Sequence, residues 1–180
     1  DAFSYGGTSL YSDEEYKATV FANGGLNEAG INGFNKVDLG KMLSGKIVSV
    51  RPSIRNLSEN LSGSSTPKDL EELFQLTHLY FTALNKDEKA FNSFINKQKA
   101  ILGNVLANPQ YYFQNEMGKF LNSGNPRYVG FPTPEDLDNA DYNLAYQKYK
   151  ERFADAGDFN FYFVGNINEN KLITYCETYL

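Results

Sequence analysis

The stretch that decides the fold consists of two β-like runs and one helical run: IVSVRPSI at residues 47–54, LSENLSGSS at residues 57–65 and TPKDLEELFQLTHLYF at residues 66–81. In the first run Val48 and Val50 alternate with polar residues, a pattern typical of a strand with one buried face. The second run follows after a tight connection. The two runs therefore predict a β-hairpin.

The third run has the start signals of a strong helix. Thr66 is suited to cap the helix, Pro67 to occupy its first position, and Asp69 to lie in its first turn. Apolar residues then recur with helical spacing and predict a buried stripe. The stripe comprises Leu70, Leu73, Phe74, Thr77, Tyr80, Phe81 and Leu84.

Helices are also predicted on both sides of this stretch. Ser12 and Glu15 form a capping-box pattern that predicts a helix to residue 29, although Gly24 and Gly25 interrupt it. Asn35 is suited to cap a short helix to residue 43. Further helices are predicted over residues 87–108, 109–121, 142–153 and 169–179, with a short helix after Thr133-Pro134.

Two more strands complete the prediction. Residues 159–164 are almost all apolar and aromatic, which predicts a buried strand ended by Gly165. Residues 3–5 read as the end of another strand that starts before the chain. Because the strands cluster apart from a long helical run, the fold class is predicted to be α+β, with helices packed on one face of a mostly antiparallel sheet.

Length and composition limit the function classes. The 180 residues suit one domain spanning positions 1–180, and 15% of them are aromatic. The formal net charge of −5 argues against nucleic-acid binding, which requires a basic face. No stretch approaches the roughly 20 consecutive apolar residues of a membrane span. Because the first residue is Asp1, we expect a processed chain or a fragment of a longer one.

The chain lacks an obvious catalytic constellation. His78 is the single histidine, so neither a His-x-x-Glu-His zinc helix nor a serine triad is apparent. We interpret His78 as a half-buried packing residue and Cys176 as a structural thiol, since no base or positive charge flanks it. No catalytic and no metal-binding residue is predicted, and the substrate-binding residues are unknown.

Acidic pairs offer acid–base chemistry in principle, but helix capping and solvated faces explain them better. They are Glu14 with Glu15, Glu71 with Glu72, and Asp136 with Asp138. Arg127 and Tyr128 follow a Gly-Asn-Pro loop. An exposed Arg beside Tyr would suit a carboxylate or a peptide, whereas the alternative is a loop anchor with Tyr128 packed inward.

Several motifs in order along nearly the whole chain resemble the second half of the M16 (pitrilysin/insulinase) zinc peptidases, above all their PqqL-like bacterial branch. They are GGTSLY at residues 6–11, GFNKVDL at 33–39, GK at 45–46, LSGSSTPKDLE at 61–71, DLD at 136–138, RFAD at 152–155 and FYFVGN at 161–166. The resemblance implies the LuxS/MPP-like metallohydrolase fold. It also implies the first domain of the C-terminal half, which lacks the zinc ligands.

In that family an N-terminal half carries His-x-x-Glu-His and a downstream Glu that bind zinc, and two halves close around an unfolded peptide. The resemblance implies that this chain helps to enclose peptide substrate, needs no cofactor of its own and partners the zinc-bearing N-terminal half. It also implies a periplasmic or cell-envelope location. The alternatives are a catalytically inactive peptide-binding or scaffold module and, more remotely, a hydrolase built on Cys176 or His78.

Overall fold

The computed structural model describes all residues, Asp1–Leu180. The chain divides into two compact units, which are described separately. Unit 1 comprises Asp1–Leu10, Ala29–Lys86 and Gln147–Leu180, and unit 2 comprises Tyr11–Glu28 and Asp87–Tyr146. The assignment of residues 1–180 to one domain stays a prediction.

Eight α-helices and four β-strands make up the regular structure. The strands are β1 (Ala2–Tyr5), β2 (Val48–Ile54), β3 (Ser58–Ser65) and β4 (Asn160–Phe161). The helices are α1 (Asp13–Thr19), α2 (Lys36–Met42), α3 (Leu70–Thr82), α4 (Glu88–Leu106), α5 (Pro109–Leu121), α6 (Pro134–Asp138), α7 (Tyr142–Arg152) and α8 (Glu169–Tyr179). None of these helices combines the length and the apolar character that crossing a membrane requires.

The strands form one antiparallel sheet in unit 1, in the order β2-β3-β1-β4. The predicted hairpin is confirmed, since β2 pairs with β3 from Val48 opposite Ser65 to Ile54 opposite Glu59. The predicted strand at residues 3–5 is confirmed as β1, which lies between β3 and β4. The predicted α+β class with a mostly antiparallel sheet is therefore correct.

One face of the sheet is buried and the other is exposed, as the alternation in the sequence predicts. Val50, Pro52 and Leu61 are buried on the face against which α3 packs. The residues between them along β2, Ser49 and Arg51 among them, are exposed. Within unit 1, α8 packs against α3 in turn.

The junction between β3 and α3 is fixed by polar contacts. The Thr66 side chain accepts a hydrogen bond from the Asp69 amide, and its hydroxyl donates to the Asp69 carboxylate at 2.7 Å. The Ile47 amide donates to the same carboxylate at 3.0 Å. The hydrogen bond from the Ile47 amide and, to a smaller extent, the one from the Thr66 hydroxyl lower the pKa of Asp69. The start of the hairpin is thereby tied to the start of the helix.

Aromatic rings fill the space between α3 and the end of the sheet. Phe74 is 1% exposed and stacks on Phe163 with ring centroids 5.2 Å apart. Phe153 is also 1% exposed and stacks on Tyr149 at 4.4 Å. Such offset pairs add to the stabilisation that ring burial alone provides. The core of unit 1 is therefore largely aromatic, which accounts for much of the unusual composition.

The prediction of one helix from residue 13 to residue 29 is wrong. The capping box at Ser12 and Glu15 is present, but α1 ends at Thr19 and a 3-10 helix follows over Asn23–Glu28. At Gly25 a side-chain Cβ would lie 2.7 Å from the Phe91 ring. The glycines thus allow close packing of this segment on α4 within unit 2, and that packing replaces continued α-helix.

The prediction of a buried strand over residues 159–164 is also wrong in extent and burial. β4 spans only Asn160–Phe161, and Tyr162 and Val164 are 54% and 96% exposed. Phe159, by contrast, is buried at 7% exposure. The apolar run therefore forms an edge strand with alternating burial, because it lies at the border of the sheet and has helices on one side only.

Unit 2 is built on α4. Asp87 caps this helix by accepting hydrogen bonds from the amides of Lys89 and Ala90, as predicted. The Asp87 amide donates a hydrogen bond to the Tyr142 hydroxyl oxygen at 2.8 Å. Phe91 stacks on the Tyr142 ring with centroids 4.5 Å apart. Tyr142 thus contacts both the capping residue of α4 and an apolar residue of its buried side.

Candidate functional site

His78 does not occupy a catalytic setting. It lies on the exposed side of α3 rather than half-buried, so the packing prediction is wrong on burial. Its Nδ1 lies 2.9 Å from the backbone oxygen of Tyr179, in the last turn of α8. A donor at this place satisfies a helix-terminal carbonyl and favours the negative end of the helix dipole. His78 therefore joins α3 to α8.

Cys176 has the environment of a structural thiol. It is half-buried on α8. Burial, and secondarily the charge of Glu177, raises the pKa of the thiol. A raised pKa disfavours the thiolate, which is the nucleophilic form. This geometry supports the sequence interpretation and offers nothing to a cysteine hydrolase.

The acidic pairs serve as caps and surface contacts. Glu15 and Asp136 each complete a capping box at the start of their helix. Glu71 accepts a hydrogen bond from the Tyr179 hydroxyl at 2.9 Å. Glu72 and Asp138 contact lysines, Lys46 and Lys99 respectively. The interpretation as capping and solvated groups is confirmed for these five residues.

Arg127 is a loop anchor within unit 2. Its Nε donates to Asp13 Oδ1 at 2.8 Å and its Nη2 donates to the Tyr11 backbone oxygen at 2.6 Å. The guanidinium also lies 5.3 Å from the Tyr16 ring centroid. Tyr128 remains 38% exposed, with its hydroxyl over Gly118. The anchor interpretation holds for Arg127, whereas Tyr128 packs inward only in part.

No group of three or more His, Cys, Asp or Glu side chains lies close enough together to hold a metal ion. The prediction that zinc belongs to another part of the parent protein stays a prediction. Catalytic residues likewise stay predicted as absent from this chain.

The exposed side of the sheet in unit 1, here called the open face, lies opposite the side on which α3 packs. On β2 and β3 it is lined by small hydroxyl side chains and one arginine: Ser49, Arg51, Ser53, Ser62 and Ser64. Ser49 Oγ and Ser64 Oγ lie 3.2 Å apart across the strands. This half of the open face offers hydrogen-bonding groups with little charge.

The β1–β4 half of the open face is aromatic. Phe3 stacks on Tyr162 at 5.8 Å with the rings nearly parallel, and meets Tyr5 edge-on at 5.3 Å. Tyr5 is 80% exposed and Tyr162 is 54% exposed. Ordered, solvent-exposed rings next to hydroxyl groups suit the recognition of polypeptide, because tyrosine supplies rigid apolar area together with a polar tip.

A buried carboxylate supports the end of β1. Glu59 on β3 is 1% exposed, and its Oε1 accepts a hydrogen bond from the Gly7 amide at 2.9 Å. The same oxygen lies 3.7 Å from Arg152 Nε. Gly7 has φ +60°, and a Cβ there would lie 2.2 Å from the Arg55 backbone oxygen. Only glycine fits at position 7. The glycine turn after β1 and the Glu59 carboxylate therefore stabilise the same junction.

A groove of about 300 Å³ opens beside the start of β1 on the helix side of the sheet. Its floor is apolar and includes Val50, Leu61, Leu73 and Phe74. Residues 63–66 and residues 162–166 also line it. The groove lies entirely within unit 1.

Unit 2 has an exposed apolar surface of its own on α5. Its large apolar residues are between 41% and 75% exposed. They are Tyr111, Tyr112, Phe113, Met117, Phe120 and Leu121. The sequence predicted this helix but not the exposure of its apolar side chains. Apolar residues spaced along a helix are normally interpreted as its buried face.

The comparisons with known proteins rest on structure alone. No family model and no curated protein matches the sequence. Among solved structures, the periplasmic protease PqqL from Escherichia coli has a TM-score of 0.77 and 20% identity over 99% of this chain. The ferredoxin protease FusC, solved as a mutant in complex with Arabidopsis ferredoxin, has a TM-score of 0.73 and 18% identity over 99% of this chain.

A protease from Helicobacter pylori also matches, with a TM-score of 0.68 and 11% identity over 99% of this chain. The chain spans 19% of the PqqL and FusC chains and 43% of the Helicobacter chain. At these identities the similarity establishes the fold. This chain has the α+β fold of a segment found in these three proteases, as the sequence resemblance implied.

Proposed function

We propose that residues 1–180 form a non-catalytic domain of an M16-type zinc metallopeptidase and help to enclose its peptide substrate. The observation that carries this proposal is the open face, where hydroxyl side chains lie beside ordered aromatic rings. The fold shared with PqqL and FusC supports it, and FusC was solved with a protein bound. In this proposal the domain encloses peptide and excludes water, while bond cleavage occurs elsewhere.

The zinc and its His-x-x-Glu-His helix would lie in the N-terminal half of the parent protein, which is the partner of this domain. The parent would hydrolyse peptide bonds through zinc-bound water and a glutamate base. A periplasmic location is part of the same proposal, supported by the location of PqqL. The substrate is an extended or unfolded polypeptide rather than a small molecule.

The test uses the full-length parent with Tyr5→Ser and Tyr162→Ser combined on the open face. We expect KM for peptide cleavage to rise about tenfold with little change in kcat, because the two rings bind peptide without touching the reacting bond. The matched control is Tyr112→Ser, which removes an exposed ring from α5. An unchanged KM in the double variant, or an equal rise in the control, would contradict the proposal.

A second candidate is a catalytically inactive peptide-binding or scaffold module of the same fold. The exposed apolar side of α5 favours it, since such a surface suits a protein partner. The two candidates differ in the parent protein. A parent that binds peptide but has no zinc-dependent cleavage would identify the module, and chelator-sensitive cleavage would identify the peptidase.

A further inference from the structure

We propose that Asn32 is a site of spontaneous deamidation, and that the side chain of Asn85 controls how fast it reacts. Asn32 and Gly33 form one of two Asn-Gly pairs in the chain, the other being Asn23 and Gly24. Asparagine followed by glycine is the pair most prone to this reaction, because glycine has no side chain to hinder the approach of its nitrogen. The inference does not depend on the proposed function, because the reaction needs only water.

The reaction joins the Gly33 nitrogen to the side-chain carbonyl carbon of Asn32. The nitrogen loses its proton to solvent base and attacks Cγ, the bond from Cγ to Nδ2 breaks, and ammonia leaves. The product of this step is a five-membered succinimide ring. Water then opens the ring at either of its carbonyls, which gives aspartate or isoaspartate. The net change is the uptake of one water molecule and the release of one ammonia.

The native turn keeps the two reacting atoms apart. Ile31 and Phe34 exchange backbone hydrogen bonds of 3.1 and 2.9 Å across Asn32 and Gly33, whose φ angles are +50° and +79°. This is the type I′ turn that Asn-Gly favours, in which the first central residue has a ψ of about +30°. At that ψ the Gly33 nitrogen lies on the side of the Cα–C bond opposite Asn32 Cβ. It therefore cannot reach Cγ until the peptide rotates.

Asn85 holds this turn with its side chain. Its Oδ1 accepts a hydrogen bond from the Gly33 amide at 2.8 Å, so the nitrogen that would attack is engaged as a donor. Its Nδ2 donates to the Phe34 oxygen at 2.9 Å and to the Ala29 oxygen at 3.1 Å. One side chain thus satisfies backbone groups before, within and after the turn.

Backbone contacts place Asn85 beside the turn. The Asn32 amide donates to the Ala83 oxygen at 2.7 Å, and the Asn85 amide donates to the Gly30 oxygen at 3.1 Å. Ile31, between these two contacts, is 0% exposed. The segment that follows α3 therefore lies along the turn, and Asn32 reacts only when the turn opens away from that segment.

The turn limits the geometry of the reaction rather than the access of water. Asn32 is exposed, so water reaches its side chain in the folded protein. Local segments open at a lower cost than the whole domain, so opening of this turn is enough to release Asn32. Isoaspartate adds a backbone carbon to the two-residue loop. The hydrogen bonds between Ile31 and Phe34 then cannot re-form in the same register.

Asn23 and Gly24 provide a matched comparison within the same chain. They begin the 3-10 helix of unit 2, whereas Asn85 belongs to unit 1. Because the reacting pair is the same, we expect the two sites to deamidate at closely similar rates in the unfolded chain. A difference between their rates in the native protein therefore comes from the folded surroundings.

Peptide mapping of the intact protein by mass spectrometry, after incubation at mildly alkaline pH, measures both rates. We expect Asn32 to deamidate at least about a hundredfold more slowly in the native protein than in urea. Asn85→Ala removes three side-chain hydrogen bonds and should speed deamidation of native Asn32 at least about tenfold. The rate at Asn23 should stay within about twofold, since the variant acts on the turn alone.

Thr82→Ala is the control variant. It removes an exposed hydroxyl that donates to the His78 oxygen within α3, and should change neither rate. Native Asn32 reacting as fast as in urea, or at an unchanged rate in Asn85→Ala, would overturn the inference. Equal rises at Asn32 and Asn23 would overturn it as well, because Asn85 would then act on the whole fold rather than on this turn.

Discussion

The two halves of the sheet in unit 1 differ in how completely they are built. β2 and β3 pair at seven positions, and their open face carries hydroxyl groups. β1 and β4 pair at two positions, and their open face carries aromatic rings. The β2–β3 half is a local hairpin, whereas the β1–β4 half joins residues about 160 positions apart in sequence.

The outer edges of the two halves differ as well. Pro52 lies on β2 at a position whose backbone nitrogen would face away from β3, so this edge lacks one donor. Proline at such a place protects an edge from pairing with another strand. β4 has no such residue, and Val164 beyond it is 96% exposed. The outer edge of the hairpin half is therefore protected from pairing with another strand, whereas the outer edge of the β1–β4 half is open to further contacts.

The largest expected effect comes from Phe74→Ala, which removes the ring that holds residues 161–163 against α3. We expect a loss of about 4 kcal/mol in the free energy of unfolding, because a fully buried phenylalanine leaves a cavity. Denaturant unfolding followed by circular dichroism measures it. Tyr162→Ala, on the opposite face of the same segment, is the control and should cost less than about 1 kcal/mol. Equal losses would show that the two faces are packed alike.

The next largest effect is expected from Glu59→Gln, which replaces the charged carboxylate at the junction of β1 and β3 by a neutral amide. We expect a loss of about 2–3 kcal/mol in unfolding free energy, since the Arg152 charge loses its partner. The exposed residue Glu177 provides the control as Glu177→Gln. If Arg152→Met restores most of the loss in the double variant, the two residues act as a pair. A loss no larger than that of the control would contradict the role of Glu59.

A smaller, pH-dependent effect is expected at the root of the hairpin half from Asp69→Asn. The pKa of Asp69 is lowered by hydrogen bonds from Ile47 and Thr66, so its contribution is complete above the unfolded value of about 3.9 and is lost as the pH falls through the folded value. The variant should therefore be less stable at neutral pH and show a flatter decline of unfolding free energy below pH 4. Parallel acid limbs in the two proteins would show that this carboxylate is not linked to folding.

The smallest effect is expected on the hydroxyl half of the open face. Ser64→Ala removes one side of the contact with Ser49 and should change the unfolding free energy by less than about 0.5 kcal/mol, because both hydroxyls are accessible to water. Thermal unfolding midpoints measure this. A loss above about 1 kcal/mol would mean that the hydroxyl half supports the sheet rather than only lining it.

Much of the local structure followed from the sequence. The hairpin and the caps at Ser12, Thr66 and Asp87 depend on residues within a few positions of one another. The acidic pairs were correctly assigned to caps and surface contacts for the same reason. Of the predicted stripe on α3, only Phe74 and Leu84 are buried, and Leu76, which the stripe left out, is buried too. The fold class and the resemblance to a protease segment could also be inferred, since motif order is a property of the chain.

The sequence by itself thus determined which segments are helical or extended and that no evident catalytic constellation is present. Only the tertiary structure decided that residues 159–164 form an edge with alternating burial, that the segment containing Gly24 and Gly25 packs on α4 as a 3-10 helix, and that Glu59 and Arg152 lie close together. Local propensity acts between near neighbours, whereas burial depends on which distant segment packs alongside. The open face belongs to this second kind, because β1 lies between β3 and β4, which are both distant from it in sequence.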